Sequence, residues 1–177
     1  YQLSETTKIP EMEKLIDWLP KNIPPGERTS VVHGDYRLDN MILHPTEPKV
    51  IAVLDWELST LGDPLADFTY HLMSWVMPSS DPNRPSLAMV EDKEAKGIPT
   101  KEQYVARYCE LTNRKDLPDL QYYFAYNAFR LAGILQGIVG RVRDGTASNA
   151  AAAQNEGRVE PLAMFAYACA QKAGLQG

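Results

Sequence analysis

A chain of 177 residues with 44% hydrophobic and 23% charged side chains holds enough apolar material for one folded domain, and its composition is not that of a disordered or fibrous protein. A formal charge of −5 at pH 7, with no dense basic cluster, argues against nucleic acid or an anionic membrane surface as a general partner. The two cysteines, Cys109 and Cys169, are far apart and at no metal-ligand spacing, so they read as small core residues in a reducing compartment.

The chain starts at Tyr1 rather than methionine, and its first residues form neither a charged nor an apolar leader, so it reads as a segment of a longer cytoplasmic protein, or of an organellar one in a eukaryote. Pro10 opens a helix at its first position, and Met12, Leu15, Ile16 and Leu19 then recur at the spacing of one helical face. NIPPGERT, residues 22–29, ends that helix. Three short apolar runs follow: Ser30–Val32, Met41–Leu43 and Val50–Leu54, separated by HGDYRLDN and by the turn-rich HPTEPK. The second and third read as a small hairpin. The loop between the first two therefore starts and ends on β-structure, which is where fixed polar chemistry would sit.

Asp63 and Pro64 read as the cap and first residue of a helix that continues through Leu65, Phe68, Leu72 and Trp75. Pro78–Ser86 reads as an exposed, mobile loop extending through EDKEAKG. Thr100 with Gln103 forms a capping box opening a helix along Tyr104, Tyr108 and Leu111. Two longer helices are expected, from about Pro118 to Val142 and from about Ser148 to Ala173, the latter entered through the alanine run 150–153. The apolar stretch from Gln121 to Val142 is interrupted by Asn127, Arg130 and Gln136, so it reads as a buried helix and not as a membrane span.

Phosphoryl transfer from a nucleotide needs a carboxylate to orient the attacking hydroxyl, hard oxygens to hold magnesium, and positive charge near the transferred group. HGDYRLDN supplies one of each: Asp35 as proton acceptor, Asn40 five residues on as an amide-oxygen ligand, and Arg37 between them. Fifteen residues after Asn40, at the end of the strand VIAVL, Asp55 in LDWE offers a second oxygen ligand. The order of aspartate, asparagine, hairpin, apolar strand and aspartate is that of the kinase catalytic loop and metal-binding aspartate.

With HGD and DWE in those positions, the chain resembles the aminoglycoside phosphotransferase and choline kinase superfamily. The run HGDYRLDNMILHPTEPKVIAVLDWELSTLGDPLAD is most similar to the kinase-like domains associated with acyl-CoA dehydrogenases. The resemblance implies an α+β, protein-kinase-like carboxy-terminal lobe over residues 1–177, mainly α-helical, with a small β-hairpin at the catalytic loop. It implies an ATP- or GTP- and Mg2+-dependent transfer to a hydroxyl of a small molecule, with Asp35 as base, Asn40 and Asp55 as metal and nucleotide-site ligands, and Arg37 facing the phosphoryl group. Glu57 is implied as an auxiliary metal residue. His33 is implied to be a structural part of the loop, and Asp67 in GDPLAD a carboxylate that ties down the loop backbone. The nucleotide-covering amino-terminal lobe, with its lysine, has no counterpart in the thirty or so residues before His33. An acyl-CoA dehydrogenase is the implied macromolecular partner.

Other readings stand beside these. Asp and Asn in a short loop often only cap backbone groups, Arg37 can form a surface ion pair with Asp39, and Asp63 can do no more than cap its helix. His44 and His71 have no partners at metal-ligand spacing, and the aromatic YYFAYNAF, residues 122–129, is better explained as core than as a ligand pocket. As function classes, a non-catalytic kinase-like binding module and a metal-assisted hydrolase built on the same carboxylates remain open beside the kinase.

Overall fold

The computed structural model describes residues 1–26, 28–79, 86–147, 152 and 155–176. They form two compact units, one of residues 1–24 and 121–177 and the other of residues 25–120.

The first unit is helical. Helix α1 (Pro10–Trp18) starts with proline at its first position, as expected, and buries Met12, Leu15 and Trp18. Helix α5 (Glu156–Lys172) packs against α1. It buries Ala163, Ala166 and Ala170 completely, small side chains that suit close helix packing. Helix α4 (Leu120–Arg143) matches the expected boundaries within two residues and buries the Tyr122–Ala125 run together with Ala128 and Ala132. The aromatic stretch 122–129 is therefore chiefly core. The Tyr122 hydroxyl donates to the Leu19 carbonyl at 3.0 Å and its ring tilts against Trp18. Gly140 approaches the chain start so closely that a Cβ there would sit 2.9 Å from the Ser4 Cβ.

Among the described residues the short strands lie in the second unit. Strands β1 (Ser30–Val32), β2 (Met41–Leu43) and β3 (Val50–Val53) lie where the apolar runs placed them. Strands β2 and β3 pair antiparallel with a register shift between Ile42 and Leu43, which is the expected hairpin. A fourth strand, β4 (Thr60–Gly62), was not expected; it pairs antiparallel with β1, so the two form a separate ribbon. Three residues, one of them glycine, carry too little periodicity to be read as a strand without their distant partner. Helix α2 (Leu65–Leu72) is capped by the Asp63 carboxylate, which accepts from the Leu65 amide at 2.9 Å. Helix α3 (Lys101–Thr112) opens with the complete Thr100–Gln103 capping box.

Residues 80–85 of the expected Pro78–Ser86 loop, and all of 148–154 except Ala152, lie outside the described residues. Cys109 and Cys169 are free and buried, and burial pushes the Cys169 thiol up to about 11, the state of an inert core thiol.

Candidate active site

The loop between β1 and β2 is fixed chiefly by side chains that bond its backbone. Asp67, in the first turn of α2, accepts from the amides of His33 at 2.5 Å and Gly34 at 2.9 Å, so one carboxylate satisfies two consecutive donors where the strand ends. Gly34 turns the chain with φ +85°, and a Cβ at that position would fall 2.8 Å from the Leu58 carbonyl oxygen. Only glycine meets both conditions without displacing its neighbour.

His33 is almost wholly buried and bonded at both ring nitrogens. Nδ1 accepts from the Asp35 amide at 3.2 Å, which makes Nε2 the protonated nitrogen that donates to the Leu54 carbonyl at 2.7 Å. Its ring also lies 4.8 Å from that of Trp56. One imidazole thus joins the turn holding Asp35 to the chain just before Asp55.

Asn40, at the end of a single 3₁₀ turn (Leu38–Asn40), points its amide nitrogen at Asp35, donating to the carboxylate at 2.9 Å and to the Asp35 carbonyl at 2.8 Å. Both bonds use Nδ2, so they leave the amide oxygen Oδ1 uncommitted to Asp35. The Asn40 carbonyl in turn accepts from the Leu54 amide at 2.8 Å. Asp55 follows Leu54 in the left-handed region, at φ 67° and ψ 51°, a conformation aspartate tolerates better than most residues. Its side chain and that of Glu57, two residues on in the 3₁₀ turn Trp56–Leu58, are exposed.

Arg37 pairs with Asp39, the ion pair foreseen as its ordinary role, and also bonds to the hydroxyl of Tyr70. Tyr70 was not singled out in the sequence. It is largely buried in α2, one turn beyond Asp67, and its hydroxyl also bonds to Asp35. Burial first, and the Asp35 carboxylate second, hold the phenol above its ordinary value, so it remains protonated and donates to Asp35. The only signal available in the sequence was its i+3 spacing from Asp67, which places both on one face of α2.

The structure thus brings Asp35, Arg37 and Asn40 into one hydrogen-bonded cluster and ties Asp55 to it through the Leu54 backbone. Among the described residues no three of His, Cys, Asp and Glu gather as a metal cage. The donors on offer are the Asn40 amide oxygen and an exposed aspartate. That set suits Mg2+, which retains several waters and takes few protein ligands beside substrate phosphates.

A profile of the phosphotransferase enzyme family matches residues 1–111. The chain is 44% identical over 178 residues to acyl-CoA dehydrogenase family member 10 of Mus musculus, covering 99% of this chain and 16% of that protein. It is 38% identical over 167 residues to acyl-CoA dehydrogenase family member 11 of Homo sapiens, covering 92% of this chain and 21% of that protein. A crystal structure from Ralstonia eutropha JMP134, described as an aminoglycoside phosphotransferase, superposes with a TM-score of 0.88 at 50% identity. That match covers 97% of this chain and 52% of the solved one. The chain therefore spans about a fifth or less of the curated relatives and about half of the solved structure. It has a kinase-like fold, mainly helical with short strands, and belongs to the phosphotransferase enzyme family.

Proposed function

We propose that this chain is the carboxy-terminal lobe of an ATP- or GTP- and Mg2+-dependent phosphotransferase acting on a hydroxyl of a small molecule. The observation that carries the reading is the single hydrogen-bonded cluster of Asp35, Asn40 and Arg37, with Asp55 tethered beside it. A bound magnesium nucleotide supplies the transferable phosphoryl group and neutralises its charge. Asp35 accepts the proton of the acceptor hydroxyl as that oxygen bonds to the terminal phosphorus and the bridging oxygen departs with the nucleoside diphosphate. Asn40, held by Asp35 through its nitrogen, presents its amide oxygen to the metal, Asp55 presents a carboxylate, and Glu57 stands by as an auxiliary. Arg37 faces the transferred group while its pairing with Asp39 holds the guanidinium in place.

The amino-terminal lobe that covers the nucleotide is proposed to lie outside these residues, a reading supported by the half-length match to the solved structure. The names of the relatives support an acyl-CoA dehydrogenase as a covalent or associated partner. The two free, buried cysteines support a reducing, cytoplasm-like setting, and no described helix is long and apolar enough to cross a membrane.

The test is MgATP turnover by the full-length protein against alcohols, sugars, amino alcohols and hydroxyacids, beside Asp35→Asn. Acceptor-dependent phosphorylation that is lost in the variant is the expected result. Undiminished turnover in the variant refutes the role of Asp35. Nucleotide binding without transfer to any acceptor favours the binding-module reading, and free phosphate with no acceptor product favours hydrolysis.

A further inference from the structure

The Asp35 carboxylate is held from two sides. Asn40 donates to it from the loop, and the Tyr70 hydroxyl donates from α2. The same hydroxyl accepts from Arg37, so the polarity runs from guanidinium to phenol to carboxylate. Among the described residues Arg37 hydrogen-bonds to Asp39 and Tyr70 and not to Asp35, so the base and the arginine are linked there through the phenol. Helix α2 is well placed to hold that phenol still. Asp67, one turn earlier, is bonded to the His33 and Gly34 amides, and the next residue, His71, packs its ring 5.9 Å from that of Tyr36.

A direct Asp35–Arg37 ion pair would compromise both partners. The carboxylate would become a poorer proton acceptor, and the guanidinium would be neutralised where developing phosphoryl charge needs it. A tyrosine hydroxyl between them satisfies one lone pair of the base and one N–H of the arginine while keeping the two charges apart.

We propose that Tyr70 is a positioning residue, whose hydroxyl spaces and orients the base Asp35 and the cation Arg37 for phosphoryl transfer. This rests on the phosphotransferase reading of Asp35 and adds a residue that acts through it.

The test is Tyr70→Phe in the full-length protein, which keeps the ring and its packing and removes only the hydroxyl. Its turnover is measured with MgATP and the same panel of hydroxy compounds, with Asp35→Asn and the double variant in parallel. The expected result is a fall in kcat of about tenfold to a hundredfold with the nucleotide KM within about twofold, a fraction of what general-base catalysis contributes. Because part of the action of Tyr70 runs through Asp35, adding Tyr70→Phe to Asp35→Asn should lower the residual single-turnover rate clearly less than Tyr70→Phe lowers that of the parent, the remainder being the loss of its hold on Arg37. A Tyr70→Phe kcat within twofold of the parent overturns the proposal, and so does an equal further loss in the Asp35→Asn background, which is the behaviour of a merely structural residue. Full turnover in Asp35→Asn alone overturns the assignment of the base itself, so failure of the underlying reading is told apart from failure of the Tyr70 role.

Discussion

Replacing Asp67 with asparagine should loosen the loop that carries Asp35 while changing no residue proposed to touch a substrate. Its carboxylate accepts from two successive amides, His33 and Gly34, at 2.5 and 2.9 Å. Hydrogen bonds to a charged group are worth roughly 1.5–3 kcal/mol each, and neutral ones about 1 kcal/mol. An asparagine oxygen can serve one of the two amides at the neutral value, while its NH2 group meets the other donor head-on. One bond is thus lost and one weakened, a cost of about 3 kcal/mol. With a urea slope of about 2 kcal/mol/M, the midpoint should fall by roughly 1.5 M. Tryptophan fluorescence suits the assay, because Trp56 and Trp75 both belong to the unit that contains the loop. Turnover should fall with it, since the turn that presents Asp35 then loses its anchor on α2 at Asp67 and keeps only its bonds through His33, Asn40 and Tyr70. A midpoint within about 0.3 M of the parent would refute the argument that this carboxylate fixes the loop.

Gly34→Ala combines left-handed φ with a Cβ 2.8 Å from the Leu58 carbonyl oxygen, and should cost about 2 kcal/mol or more by urea denaturation; a loss under about 0.5 kcal/mol would contradict the geometry. Thr100→Ala dismantles the α3 capping box and should cost about 1 kcal/mol, with helix content falling only at that end. Gly140→Val should destabilise the helical unit through contact with Ser4, read as a lowered thermal midpoint, whereas an unchanged midpoint would mean that the chain start yields freely. Burial holds the His71 imidazole below its ordinary value, so on acidification the unfolded chain takes up that proton before the folded one does. Stability should therefore decline as pH falls through about 6.5, and His71→Phe should flatten that decline; parallel stability–pH curves for the two proteins would exclude the effect.

What could be read from sequence was whatever local chemistry determines. The proline start of α1, the Thr100–Gln103 box, the hairpin and the order of Asp35, Asn40 and Asp55 depend on residues close together in the chain. Strand β4 depends on β1, some thirty residues earlier, and no local pattern within Thr60–Gly62 announces it. Tyr70 escaped notice for a related reason. An aromatic residue on an apolar helix reads as core, and only the folded loop brings Asp35 and Arg37 to its hydroxyl. The ion pair of Arg37 with Asp39 was foreseen as an alternative to function, yet the structure shows it together with the Tyr70 contact, so the two descriptions of Arg37 are not exclusive.

Leu54 leaves nearly half its side chain in water, while its amide is bonded to Asn40 and its carbonyl to His33. The side chain is replaceable, and the two backbone bonds are not. Any opening that frees the Leu54 amide for hydrogen exchange must also release the Asn40 carbonyl, and with the His33 bond gone it slackens the turn before Asp35. Protection of the Leu54 and Asp35 amides should accordingly rise and fall together. The proposed proton acceptor Asp35 and the proposed oxygen ligands Asn40 and Asp55 would then be gained or lost in one step, giving a protein whose population divides between fully assembled sites and none at all.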